Sequence, residues 1–232
     1  MKPLAIDLYC GLGGWTEGLL AEGYRVVGFD IERHVYGEHR YPAELVLQDV
    51  RSLHGSQFKD AALIVGSSPC QEFSYRAMPW KRAKALPPPY LGMELFNAQF
   101  RIQREASEAA GRHIPMVVEN VKGAQRYVGA ARWHYGSFYL WGDVPALMPM
   151  SKGIKNNGGS WFAIGSPGQK ELGKNPVHAA SGIKQGGDWF NTAGSISRTT
   201  SGKSPARKFA SAMIAKIPLP LSRHIAQVYR PR

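Results

Sequence analysis

The chain has 232 residues, 44% hydrophobic and 20% charged, which suits one α/β domain or one domain with a small appendage. Its apolar runs fall short of membrane-spanning length, and the opening MKPLAIDLYC lacks the apolar core and cleavage site of a secretory leader. A cytoplasmic protein with no membrane partner is therefore expected. The two cysteines, Cys10 and Cys70, are too few for a disulfide framework, and a reducing compartment keeps them as thiols. The net charge of +12 is unevenly spread. Residues 1–120 hold 13 Lys+Arg against 14 Asp+Glu, whereas residues 121–232 hold 16 against 3, an excess of +13 in the second half. Such asymmetry points to contact with a polyanion, and the plainer alternative is a solvated basic surface.

In chain order, PLAIDLY, RVVGFD, ELVLQ, ALIVGS and PMVVEN read as buried strands. Amphipathic segments lie between them at Trp15–Glu22, about Arg33–Arg40 and Met93–Gly111. Apolar strands alternating with helices predict a mostly parallel sheet covered on both faces, a Rossmann-like α/β architecture with ligands at the carboxyl ends of the strands. GSFYLWG reads as one more strand. From Lys152 to Lys203 the chain holds eleven glycines among many Ser, Asn and Lys and shows no helical period, so a loop-rich region is expected. SPARKFASAMIAK reads as helix, IPLP interrupts it, and LSRHIAQVY reads as a last helix.

Three motifs carry chemistry. The first, Asp7-Leu8-Tyr9-Cys10-Gly11-Leu12-Gly13-Gly14, follows the first strand, where clustered glycines let backbone approach a ligand. Asp30 closes the second strand, where a carboxylate can bind ribose hydroxyls, and Asp49 follows the third, placed to reach an adenine amino group. Alone, this set suits NAD and S-adenosylmethionine equally, or a plain structural turn. The second motif, Ser67-Ser68-Pro69-Cys70-Gln71-Glu72-Phe73-Ser74, sets a cysteine at the end of a central strand, either a nucleophile needing local help to ionise or a buried structural thiol. The third, Val117-Val118-Glu119-Asn120-Val121, projects a carboxylate from the same edge, either a proton donor or a surface charge.

In this order and spacing, DLYCGLGG, SPCQEFS and VENV resemble the cytosine-5 DNA methyltransferase family. The resemblance runs from residue 4 to about 125 and resumes near 211–226, where AKIPLPLSRHIA is similar to the family's closing motif, which packs beside the first glycine motif. It implies a Rossmann-like S-adenosylmethionine-dependent methyltransferase fold with a small loop-rich recognition region. It also implies methyl transfer to C5 of cytosine in double-stranded DNA, with base flipping and without a metal. The residues it assigns to catalysis are Cys70, attacking C6, Glu119, protonating N3, and Asn120, holding the site's backbone. The cofactor contacts it implies are Asp7, Tyr9, Gly11, Leu12, Gly13, Gly14, Asp30, Ile31, Asp49, Val50, Ser68 and Pro69. The chain departs from the family at several points. Ser68 stands where a proline is usual, and Ile214 and Ala215 stand where Gly-Asn is usual. The Gln-x-Arg-x-Arg motif is not recognisable in ARWHYGSFYLWG, which leaves Arg132 as the candidate substitute.

The expected division is a catalytic and cofactor-binding domain at 1–142, a basic target-recognition region at 143–207 and a returning C-terminal helix at 208–232. DNA contacts are expected from Gln71, Ser74, Arg76, Lys81 and Arg82 in a closing loop, and from Lys155, Lys184 and Arg198 in the recognition region. A monomer is expected, with room for a partner protein that helps target recognition. Three rival readings are a tRNA cytosine-5 methyltransferase, a weakly active DNA-binding subunit that relies on a partner, and a nicotinamide oxidoreductase, which gives Cys70 and Glu119 no joint role. Deleting residues 152–203 behind a short linker should abolish the target preference of a folded, active protein, read by bisulfite sequencing of host DNA. An unchanged methylated motif would place recognition elsewhere.

Overall fold

A computed structural model describes residues 2–74, 87–149, 208, 212–213 and 215–231. The elements, in order, are β1 (Leu4–Leu8), α1 (Gly14–Ala21), β2 (Arg25–Asp30), β3 (Val35–Tyr36), β4 (His39–Arg40), β5 (Glu44–Leu47), β6 (Ala61–Ser67), α2 (Tyr90–Ala110), β7 (Met116–Asn120), α3 (Gln125–Val128), β8 (Trp133–Tyr135), β9 (Phe138–Gly142) and α4 (Leu219–Tyr229). The chain divides into two compact units. The first is Met1–His34, Arg40–Pro149 and Ile217–Arg232, and the second is Val35–His39 and Met150–Lys216. The first unit carries the large sheet. Among the described residues, no helix is long and apolar enough to cross a membrane.

Seven strands form that sheet in the order β5-β2-β1-β6-β7-β9-β8. β5, β2, β1, β6 and β7 run parallel, and β9 is antiparallel to both β7 and β8. This is the mostly parallel α/β sheet expected of a Rossmann-like methyltransferase fold. The strand order reverses at β1, with β2 and β5 on one side and β6 and β7 on the other. The crevice above the carboxyl ends of β1 and β6 is thus the topological switch point, where such sheets bind ligands. The strands are apolar because both faces are covered: Ala5, Leu63, Ile64, Val65, Met116, Val117 and Val118 are all fully buried. The 21-residue α2 lays Phe96, Ile102 and Ala106 into this core and ends at Gly111, whose left-handed φ of 62° closes the helix. Burying each large side chain of this kind stabilises the fold by about 1.5–3 kcal/mol.

α4 returns to pack on α1, and small residues set the approach. A Cβ on Gly14 would lie 2.4 Å from the Ile217 amide nitrogen, and one on Gly18 would lie 2.3 Å from Ser222 Oγ. The Tyr24 hydroxyl donates to the Ala226 carbonyl at 3.0 Å across the same contact.

The segment Arg33–Arg40 is not helical. It forms the β3–β4 hairpin, turning at Gly37 with φ 60°. β-branched Val35 and aromatic Tyr36 favour extended backbone, and the glycine supplies the turn; these outweigh a weak helical period. β8 also goes beyond the single strand expected from GSFYLWG. Trp133–Tyr135 and Phe138–Gly142 pair through the two-residue Gly136-Ser137 turn.

Beneath the turn after β1 lies a buried polar chain. The Thr16 hydroxyl donates to Asp7 Oδ2 at 2.6 Å and pairs with the Tyr41 hydroxyl at 2.6 Å, where Tyr41 donates because the single Thr16 proton is committed. Burial first, then the nearby Asp30 charge, pushes the Asp7 acid from 3.8 to about 8 against the Thr16 hydrogen bond, so Asp7 is largely protonated at neutral pH. Between these two values the folded chain keeps a proton that the unfolded chain has lost, so this contribution to stability falls as pH rises from about 4 to about 8. Asp7→Asn should make urea midpoints less pH-dependent across that window. A slope equal to the parent's would mean that Asp7 is not the group that titrates.

Candidate active site

The turn from β1 into α1 is built on backbone conformations that side chains resist. Tyr9 (φ 57°), Gly11 (φ 51°) and Gly13 (φ 79°) all take positive φ. A Cβ on Gly11 would meet nothing within 4 Å, so its conformation rather than crowding calls for glycine, and the space beside it is open. The turn is fastened to the end of β2. Gly11 N–H donates to Asp30 Oδ2 at 2.9 Å, Glu32 N–H donates to Asp30 Oδ1 at 3.2 Å, and Cys10 N–H donates to the Phe29 carbonyl. Burial tends to raise the Asp30 acid, but hydrogen bonds from His34, Gly11 and Glu32 outweigh it and hold the carboxyl below its ordinary range. Asp30 is therefore an anion with lone pairs left for hydroxyl donors.

The cofactor residues expected from the sequence fall into two groups around this turn. Asp30, exposed Ile31 and half-buried Asp49 lie where β2 and β5 end. Asp49 is engaged by Arg51, whose guanidinium and amide both donate to it, and this holds its carboxyl low. Asp7, Leu12 and Val50 are buried. The Tyr9 hydroxyl is occupied by the Leu95 carbonyl at 2.9 Å. The chemistry of the open glycine turn and the charged Asp30 fits a nucleoside cofactor such as S-adenosylmethionine.

Register sets the second half of the site. Ser67 of β6 lies opposite Glu119 of β7, and Asn120 lies opposite Tyr139 of β9. Adjacent strands are about 4.8 Å apart, so Glu119 stands beside the point where the chain leaves β6 for Ser68-Pro69-Cys70. Asn120 ties the two together: its Nδ2 donates to the Ser68 carbonyl at 3.0 Å and to Ser68 Oγ at 3.1 Å, and its Oδ1 accepts from Val121 N–H. Cys70, half-buried, caps the short 3-10 turn Gln71–Phe73, and its carbonyl accepts from Phe73 N–H and Ser74 Oγ. Phe73 anchors this turn in the core, and Glu72 accepts from Gly92 N–H at 2.7 Å. Cys10, the other free thiol, is buried, and burial pushes its acid well up.

Glu119 is 8% exposed, and burial, opposed by a hydrogen bond from Ser67, pushes its acid from 4.5 to about 8. A carboxyl in that state can donate a proton at neutral pH. Ser67 and Trp15 enter this site unforeseen: the Trp15 indole donates to Ser67 Oγ at 3.0 Å. The available signal was a hydroxyl side chain on the last strand position before the cysteine loop.

Arg132 is exposed, and its amide donates to the Leu140 carbonyl at the start of edge strand β8, two strands from Glu119. Its side chain is not part of the cluster described above. Gln71 is exposed and Ser74 half-buried beside Cys70. Arg76, Lys81, Arg82, Lys155, Lys184 and Arg198 lie outside the described residues, as does the recognition region from residue 150 onward.

Comparison with known proteins bears on this architecture. A type II methylase, M.HgiDII from Herpetosiphon aurantiacus, is 31% identical over 84 residues, which cover 32% of this chain and 23% of the relative. The chain thus spans less than a quarter of that relative's length. Among solved structures, the Dnmt2 methyltransferase of S. pombe is 17% identical over 56% of this chain and 38% of that one, with a TM-score of 0.38. The Entamoeba histolytica methyltransferase EhMeth is 13% identical over 65% and 56%, with a TM-score of 0.42. The model of the C-5 cytosine-specific DNA methylase family matches residues 4–124, more than half of the chain and the span that holds the glycine turn, Cys70 and Glu119. The chain belongs to the C-5 cytosine-specific DNA methylase family.

Proposed function

We propose that this chain transfers a methyl group from S-adenosylmethionine to C5 of cytosine in double-stranded DNA, with Cys70 as nucleophile and Glu119 as acid. The observation that carries this reading is the register of β6 and β7. It sets a buried carboxyl beside the loop that bears a half-buried cysteine, at the sheet edge where the glycine turn and Asp30 also open. A binding module has no chemical need for that pair.

The chemistry follows from the ring. Cytosine C5 is a weak nucleophile because its electrons are delocalised. The Cys70 thiolate adds to C6, forming a carbon–sulfur bond and moving charge onto N3 and O2. Glu119 gives its proton to N3, which neutralises that charge and leaves C5 enamine-like. S-adenosylmethionine, when bound, supplies an electrophilic methyl on a sulfonium. Asp30 would hold the ribose hydroxyls, the backbone of Gly11 and Gly13 would line the approach, and Asp49 would meet the adenine amino group. Once C5 carries the methyl, a solvent base takes the C5 proton, the C6–sulfur bond breaks to release the Cys70 thiolate, and N3 returns its proton to the Glu119 carboxylate, which restores the aromatic ring and the acid. Both faces of the base must be reached, so the cytosine has to leave the duplex stack. Gln71 and Ser74, beside the nucleophile, would contact the DNA. The basic second half supplies the positive surface, and binding should weaken steeply with salt.

Cys70→Ser should fold and bind duplex DNA yet transfer no methyl groups. A duplex with 5-fluorocytosine at the target should trap the parent protein as a covalent adduct, seen by denaturing gel and mass spectrometry, because fluorine cannot leave as a proton does. Glu119→Gln should lower turnover by about 100- to 10,000-fold. Methylation by Cys70→Ser, or failure of an active preparation to form the adduct, would overturn the mechanism.

A further inference from the structure

We propose that Ser67 is a positioning residue for Glu119, and that Trp15 sets the direction of its hydrogen bond. This rests on the reading of Glu119 as the acid. Trp15 is the second residue of α1, directly after the glycine turn, and is 2% exposed. Its indole N–H can only donate, and it donates to Ser67 Oγ at 3.0 Å. One lone pair of the serine is thereby used, which leaves its single proton for the Glu119 carboxyl that the register of β6 and β7 sets opposite it. A hydroxyl that donates to one carboxyl oxygen leaves the other to carry the proton.

The surroundings make this hydrogen bond the chief polar control on the acid. The strands beside Glu119 present Ser67 from β6 and Leu140 from β9, neither of them an ionisable group. Burial raises the Glu119 acid and the Ser67 hydroxyl lowers it. The ionisable groups on the adjoining loop are Cys70 and Glu72, and Glu72 accepts from the Gly92 amide. Without the serine proton, burial would act unopposed and hold the proton too tightly for efficient transfer. The same relay joins the cofactor turn to the acid, because Trp15 starts the helix that the turn leads into.

The test uses the full chain with Ser67→Ala, Ser67→Thr, Trp15→Phe and Glu119→Gln. Two quantities are read: single-turnover methylation of a duplex against pH, and the infrared carboxylic-acid C=O band against pH, assigned by its loss in Glu119→Gln. Ser67→Ala should move the midpoint of that band to higher pH and slow methyl transfer about tenfold, the loss expected for one hydrogen bond to an ionisable group. Cofactor affinity should stay unchanged by calorimetry. Trp15→Phe should move the midpoint in the same direction, and Ser67→Thr, which keeps the hydroxyl, should restore both readings. A midpoint unmoved in folded Ser67→Ala, or Ser67→Thr no better than Ser67→Ala, would overturn the proposal. If Ser67→Ala does not fold, an unmoved midpoint in Trp15→Phe does so. Near-parental methylation by Glu119→Gln would instead remove Glu119 as the acid, while the band shift still reports the hydrogen bond.

Discussion

The parallel register of β2, β1, β6 and β7 is the constraint on which the rest depends. Parallel strands all end at one edge, so whatever follows them converges there. Leu8 pairs with Phe29 and with Gly66, and Ser67 pairs with Glu119, so the turns after β1, β2, β6 and β7 begin within about one residue of the same level. A shift of one residue between β6 and β7 would send Glu119 to the opposite face of the sheet. The strand order then opens a crevice between the turn after β1 and the loop after β6. The glycine turn and the cysteine loop are neighbours for that reason, although 60 positions separate Cys10 from Cys70.

Two carboxyls along this edge are driven in opposite directions by their surroundings. Asp30 receives N–H donors from Gly11 and Glu32 and the His34 ring, which favour the anion. Glu119 is buried with a single hydroxyl donor, and the neutral acid is favoured. Residue type does not distinguish them; the number of donors set against the cost of burial does. Asp7 is a third case, a buried acid with one donor and one oxygen without a partner, acting inside the fold beneath the cofactor turn.

The family match ends at residue 124, close after Glu119 and Asn120. Beyond it the described chain contributes β8, β9 and α4, which finish the sheet and brace α1. α4 works at close range: glycines at 14 and 18 admit its backbone, and Tyr24 fastens it. The excess positive charge of the second half lies beyond the end of this match.

By itself the sequence determined the positions of the five parallel strands and of β9, and the three motifs. Buried parallel strands must be continuous apolar runs, and each motif residue follows such a run directly. β2 spans the residues of RVVGFD, and Asp30 and Glu119 sit at strand ends as their place after those runs requires. Tertiary structure decided what neighbouring chain segments do to each residue. Arg33–Arg40 became a hairpin because local turn chemistry at Gly37 outweighed a weak period, and the Trp133–Tyr135 strand became visible only when paired with Phe138–Gly142. Asp7 reads as one more cofactor carboxylate until Thr16 and Tyr41 close over it. Ser67 lies in the cysteine motif and Trp15 in the first amphipathic segment, 52 positions apart, and only the packing of α1 against the end of β6 brings their hydrogen bond into being. Patterns of burial are written along a strand. Hydrogen bonds between strands and helices are a property of the assembled sheet, because their strength depends on a distance that no single segment contains.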